Sequence, residues 1–200
     1  MLKIQLSNYR IVFAAVCLVG ILLFASPTIV LLIKLPAGQE FSEIYLLGPN
    51  RTLANLPFNI KSGASYLIYL GVGNNMGSSG YYKCFIKIGN ETDSLPNTAL
   101  GVASAQPPLY EYNIFISDGA RWEAPLTFQV NRLDFASATS QIFDIDINGI
   151  DFPVNKTSAW DSSKTGYYYN LVVELWTFNS TSKIFQFNNR FVSLKLNMTQ

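Results

Sequence analysis

An uncharged, strongly apolar stretch from Ile11 through Val30 to Ile33 constrains this chain more than any other feature, because it lies close to the first residue and nothing comparable follows it. At about 1.5 Å of rise per residue, residues 11–33 make a helix of roughly 34 Å, enough to cross a hydrocarbon core of about 30 Å. The expectation is a membrane helix over 11–33, a short segment 1–10 before it, and one extended region, 37–200, beyond it. Lys3 and Arg10 precede the span, whereas Lys34 follows it and is partly offset by Glu40. This bias places the N-terminus in the cytoplasm and residues 37–200 outside the cell membrane, as a single-pass protein. The Asn-X-Ser/Thr tripeptides at Asn50, Asn90, Asn155, Asn179 and Asn197 all lie beyond the span, as glycan acceptors of an exported domain would. The same segment also fits a cleaved signal peptide, with 11–24 as its apolar region and Ala25-Ser26 near the cleavage site. Against that, the apolar run resumes from Thr28 to Ile33. Pro27, inside the run, is expected to bend the helix.

Beyond Pro36 the pattern is β throughout. Residues 65–72, 81–88, 109–117, 125–130, 141–147, 170–178, 183–187 and 191–198 are short runs rich in Ile, Val, Phe, Tyr and Thr. Gly71 to Gly80 reads as a loop and Ser117-Asp118-Gly119 as a tight turn. Asn148-Gly149 between two isoleucines is the strongest hairpin signal. In the last run Val192, Leu194, Leu196 and Met198 alternate with Ser193, Lys195 and Asn197, one buried and one solvated face, with Asn197 on the solvated side. Such strands, in a chain with 14% aromatic residues, fit an all-β, antiparallel sandwich over 37–200. The small residues Ala136 to Ser140 could instead link two units. A second unit that short would be marginal alone, which favours one domain.

The stretch Phe41-Ser42-Glu43-Ile44-Tyr45-Leu46-Leu47-Gly48-Pro49-Asn50, with Leu56-Pro57-Phe58-Asn59-Ile60 and the strand and turn from Gly63 to Asn74, resembles the extracytoplasmic part of domain-of-unknown-function family 1616, mainly archaeal membrane proteins. Leu109-Tyr110-Glu111-Tyr112, Trp122-Glu123-Ala124-Pro125-Leu126-Thr127-Phe128, Gly166-Tyr167-Tyr168-Tyr169, Glu174-Leu175-Trp176, Phe185-Gln186-Phe187 and Arg190-Phe191-Val192 are similar to a longer archaeal subgroup. The resemblance covers about residues 10–199. It implies an immunoglobulin-like sandwich tethered outside the membrane. It implies no activity and carries over no site residues, and the single span here differs from the multi-span members.

Composition narrows the chemistry. The chain has no His, which removes the usual general base, the Ser-His and Cys-His pairs and the commonest metal ligand. A net charge of +1 lacks the basic stripe that nucleic acid requires. Of the two Cys, Cys17 lies in the apolar span and cannot pair within one chain with Cys84, which reads as a buried apolar side chain, an intermolecular bridge being the alternative. Ser180-Thr181-Ser182-Lys183 matches a Ser-x-x-Lys pattern but falls in a turn between strands, where no helix brings Lys beside Ser. Gly71-Val72-Gly73 with Gly77 lacks the Lys-Ser/Thr of a phosphate loop. Asp144, Asp146 and Asp151 around Asn148-Gly149 look like the start of a calcium loop, yet the closing position is Asn155. The alternation of Phe143, Ile145 and Ile147 with Asp144, Asp146 and Asn148 fits a strand with carboxylates outward.

Glu174 shares a strand face with Val172, Trp176 and Phe178, so either an Arg or Lys partner holds it, or it lines a sugar groove among aromatics. Trp160 and Trp122 are expected in loops and most of the aromatics in the core, with an exposed aromatic patch for a partner protein or surface glycan as the other reading. The expectation is thus a non-catalytic surface module without metal or cofactor. Its partners are the membrane bilayer and an envelope protein or surface glycan, met through the loops 74–80 and 92–106. The alternative is a carbohydrate-binding or carbohydrate-active domain built on Glu174.

Overall fold

The computed structural model describes residues 6–32 and 39–199, with side chains of the N-terminal segment described from Tyr9 to Phe24. The chain forms two units, residues 1–39 and 40–200. In the first, α1 is one helix, Leu6–Leu32, which Pro27 does not end. From Ile11 to Phe24 its large apolar side chains are exposed on every side: Ile11 is 70% exposed, Phe13 71% and Phe24 89%. Among the described residues no helix is long and apolar enough to cross a membrane; the side chains from Tyr9 to Phe24 cover only about 24 Å of helix axis. Lys3, Lys34 and the end of the expected span, Ile33, lie outside the described residues.

The second unit is all-β. Its strands are β1 (Phe41–Leu47), β2 (Asn59–Lys61), β3 (Ser65–Asn75), β4 (Gly80–Asn90), β5 (Tyr110–Ile116), β6 (Arg121–Ala136), β7 (Thr139–Ile147), β8 (Ile150–Asp161), β9 (Gly166–Asn179) and β10 (Ile184–Thr199). They make one curled sheet in the order β1-β3-β6-β7-β8-β9-β10-β2, with β4 and β5 branching from β9. The curl comes at β8, whose body pairs with β7 and whose last residues, Trp160 and Asp161, pair with Tyr167 and Gly166 of β9. Two layers result, β1-β3-β6-β7-β8 and β5-β4-β9-β10-β2. All pairings are antiparallel except β10 with the short β2.

Period-2 patterning fills the space between the layers. Ile68, Leu70 and Val72 of β3, Leu126, Phe128 and Val130 of β6, and Ile142, Ile145 and Ile147 of β7 meet Cys84, Ile86 and Ile88 of β4, Leu171, Val173 and Leu175 of β9, and Leu194, Leu196 and Met198 of β10. The alternation expected for the last strand holds. In β7 a bulge between Ile142 and Asp144 shifts the parity, so Ile142 and Ile145 both face the core and Phe143, expected there, lies outside it under Arg132. The buried Tyr82 and Asn74 satisfy each other: Tyr82 donates to Asn74 Oδ1 at 2.8 Å, and Asn74 Nδ2 donates to the Ile116 carbonyl at 2.9 Å.

Two expectations and one alternative reading fail here for identifiable reasons. Gly71, Val72, Gly73 and Asn74 are buried strand, not loop; only 76–79 turn. Across the ladder, Gly71 faces Tyr45 and Gly73 faces Glu43. A Cβ at Gly71 would lie 2.1 Å from Tyr45 Cζ, and one at Gly73 would lie 2.3 Å from Glu43 Oε1. The glycines therefore let long β1 side chains lie across β3, and Glu43 crosses it to meet Arg121 Nε at 2.6 Å. Residues 136–140 are no linker: Ala136 pairs with Thr139 in the β6–β7 hairpin, with Ser137 at φ 52°. Trp160 and Trp122 sit in strands β8 and β6, not in loops. The Asn148-Gly149 hairpin forms as expected, with φ 54° and 81°.

Candidate functional site

Glu174 is the most conspicuous polar group in the fold. It lies on the outer face of β9, opposite Phe85 of β4 and Phe191 of β10, and is completely buried. The cover is the 91–109 segment between β4 and β5, of which Ser104 reaches the carboxylate. Ser104 donates to Glu174 Oε1 through its backbone N–H at 2.7 Å and its hydroxyl at 2.5 Å. Lys87 Nζ lies 2.9 Å from Oε2, and Trp176 Nε1 donates to Oε2 at 3.0 Å. Lys87 donates further to the Ser104 carbonyl at 3.0 Å. Burial on its own raises the Glu174 pKa, but the hydrogen bonds from Ser104, Lys87 and Trp176 outweigh it and hold the carboxyl below its ordinary value.

Of the two expected environments for Glu174, the structure presents the basic partner, Lys87. Ser104, Lys87 and Glu174 have the residue types of a nucleophile and its activators, but their geometry is that of a latch. The Lys87 ammonium and the Ser104 hydroxyl both donate toward the same carboxylate, and the side chains are sealed from solvent. Ser180 and Lys183 stay in the β9–β10 turn, where Asn179 Oδ1 accepts from the backbone N–H groups of Thr181 and Ser182.

The acidic hairpin is engaged in its own structure. Asp144 pairs with Arg132 at 2.9 Å, Asp146 Oδ1 accepts from the Gly149 N–H at 2.8 Å, and Asp151 accepts from Asn131. Among the described residues no three His, Cys, Asp or Glu side chains gather as metal ligands. Cys84 is buried and its thiol is pushed up to about 12 by desolvation, which leaves it unreactive at neutral pH.

The sequons divide by their side-chain contacts. Asn50 and Asn155 are exposed. Asn90 instead donates to the Thr157 carbonyl and accepts from Thr92 and Asp93, and Asn179 donates to Gln186. Asn197, expected to point freely outward, bridges strands: it donates to Asn59 Oδ1 and accepts from the Tyr167 N–H.

What sequence reasoning did not locate is an ordered aromatic surface. Register aligns Phe115 of β5 with Tyr81 of β4, and Phe178 of β9 with Phe185 of β10, on the outer face of four successive strands. Tyr81 contacts both Phe178 and Phe185, at 6.3 and 5.1 Å between centroids. Lys83 Nζ stands 5.1 Å over the Phe185 ring. Phe115 is 71% exposed, Ile184 at the adjoining turn 56%, Tyr81 40% and Phe178 37%. A sequence signal was there for three of them: Phe115, Tyr81 and Phe178 are each the out-of-phase aromatic of a strand whose other parity is largely apolar.

No family model and no curated protein matches the chain. Among solved structures, a β-glucosidase from Listeria innocua in complex with glucose aligns at TM-score 0.41 and 7% identity, covering 81% of this chain and 16% of that one. The CARDB domain of the PF1109 protein from Pyrococcus furiosus, in complex with di-metal ions, aligns at TM-score 0.40 and 6% identity over 83% of this chain and 94% of that domain. The chain thus spans a small part of the glucosidase, and likenesses this distant carry no argument about activity or ligand.

Proposed function

We propose that this is a membrane-tethered, extracytoplasmic interaction module with an immunoglobulin-like sandwich, acting by binding a protein partner and not by catalysis. The observation that carries the reading is the open row Phe115, Tyr81, Phe178 and Phe185. Aromatic area left in water on a continuous sheet face is characteristic of a contact surface. The polar groups with catalytic residue types favour binding over turnover: Glu174, Lys87 and Ser104 are sealed, and Asp144 and Asp146 of the β7–β8 hairpin are engaged by Arg132 and the Gly149 N–H. The anchor is α1. Its apolar side chains point outward all round from Ile11 to Phe24, a pattern suited to lipid and unsuited to water. Orientation with the N-terminus inside rests on Lys3 and Arg10, and the resemblance to family 1616 belongs to the same reading.

The test is capture from solubilised envelope with the tagged full chain, run beside the Tyr81→Ser/Phe178→Ser double variant. Proteins recovered with the parent and reduced at least about tenfold with the variant support the surface, since each well-buried interface aromatic contributes upward of about 1 kcal/mol. Equal recovery by both chains refutes the surface. Protease added outside intact cells should reach residues 40–200; full protection would refute the orientation.

A further inference from the structure

Trp160 closes β8 with 44% of its surface exposed and borders two concavities. On one side Asn90, Glu91, Thr157 and Asp161 join it around a cavity of about 410 Å³. On the other, Phe135, Gly166, Tyr167 and Thr199 join it around one of about 390 Å³.

The indole is fixed before any ligand arrives. Tyr167 packs edge-on at 5.0 Å between centroids, and Phe135 backs Tyr167 at 5.3 Å. The Trp160 backbone N–H donates to the Ala138 carbonyl at 2.8 Å. Little side-chain freedom remains to be lost on binding. The indole N–H itself has no partner among the described residues.

Charge around the cleft cancels. Lys164 bridges Glu91 Oε1 and Asp161 Oδ2, the latter at 2.9 Å, and Lys195 reaches Glu91 Oε1 at 3.2 Å. The hydrogen bonds from Lys164 first, with those from Lys195, hold Glu91 below its ordinary value, so it is ionised throughout the neutral range. Two carboxylates meet two ammonium groups. Glu91 and Thr157 both line the first cavity, and Glu91 Oε2 carries no hydrogen bond among the described residues.

We propose that the cleft around Trp160 binds a neutral oligosaccharide, with successive pyranose rings in the two concavities. A pyranose has an apolar C–H face for the indole and a rim of hydroxyls for Glu91, Thr157 and the indole N–H. With Lys164 and Lys195 already paired to Glu91 and Asp161, the cleft offers a phosphate or uronate no net attraction, and a purely apolar ligand would leave the polar groups unmatched. The site is distinct from Glu174, whose carboxylate no ligand reaches, and it goes beyond the protein-partner reading without resting on it. A captured protein partner without sugar binding would sustain that reading and overturn this one.

The experiment titrates the full chain, purified in a detergent lacking a sugar headgroup, with maltopentaose, cellopentaose and mannopentaose by calorimetry, and with pentagalacturonate as the anionic comparison. At least one neutral pentasaccharide should bind saturably and change tryptophan fluorescence. Trp160→Ala should weaken it about tenfold or more, Trp160→Phe less because a ring remains, and Tyr81→Ala not at all. Should Trp160→Ala fail to fold by thermal melting, Glu91→Gln and Thr157→Val, each at the cavity wall, should weaken binding severalfold in its place. Absence of binding by all three neutral sugars, unchanged affinity in the folded Trp160 variants, or preference for pentagalacturonate would overturn the proposal.

Discussion

Burying a lone carboxylate costs several kcal/mol, and Glu174 is tolerated only because Ser104, Lys87 and Trp176 converge on it. Glu174→Gln keeps the shape but leaves Lys87 buried opposite a neutral group, so it should lower unfolding stability by about 3 kcal/mol at pH 7, read from urea denaturation. Glu174→Leu with Lys87→Met should recover most of that loss; an equally large loss in the double variant would mean that packing, not charge, holds the segment. The pH dependence has a definite sign. The folded carboxyl is held below its ordinary value, so its contribution is complete above the unfolded value of about 4.3 and is lost as pH falls through the folded value. The urea midpoint of the parent should therefore fall on acidification below about pH 4, and the Glu174→Gln chain should show a shallower fall. Parallel profiles would exclude Glu174 as a source of acid sensitivity. The sequence placed Glu174 among aromatics correctly, but its partner Lys87 lies on another strand and Ser104 in a loop, a contact no local pattern encodes.

At the scale of elements, the strands with clean alternation were legible, and those with glycine, proline or polar runs were not. β3 was cut short because Gly71 and Gly73 read as turn residues, whereas their missing side chains make room for Tyr45 and Glu43. Gly71→Val should accordingly displace the Tyr45 ring and cost about 1–3 kcal/mol in spite of valine's strand preference. A stabilising outcome in thermal denaturation would mean that the Tyr45 packing contributes nothing. β8 escaped notice because Pro153 and its mostly polar sequence conceal a strand whose inward residues, Phe152 and Val154, are only half-buried. β2 is three residues long, and parallel pairing with β10 alone defines it.

For the molecule, the distribution of the core predicts how the 40–200 unit comes apart. Both layers contribute to one apolar cluster, and 136–140 is a hairpin turn inside the sheet, so neither layer retains a core without the other. Single-tryptophan chains reporting from Trp122 in β6 and Trp176 in β9 should unfold with coincident urea midpoints; midpoints well apart would establish two separately folding parts.

By itself the sequence determined the apolar N-terminal segment, the all-β character of the chain beyond Pro36, the Asn148-Gly149 hairpin and the buried parity of most strands. Each of these is local, set by residue preference and a period of two. Only the tertiary structure decided that Glu174 belongs with Lys87 and Ser104, that Asn197 joins strands instead of facing open water, and that Trp160 ends a strand between two cavities. It also decided that Phe115, Tyr81, Phe178 and Phe185 lie side by side. These depend on strand order and register, which bring together residues far apart in the chain and which the periodicity within one strand does not specify.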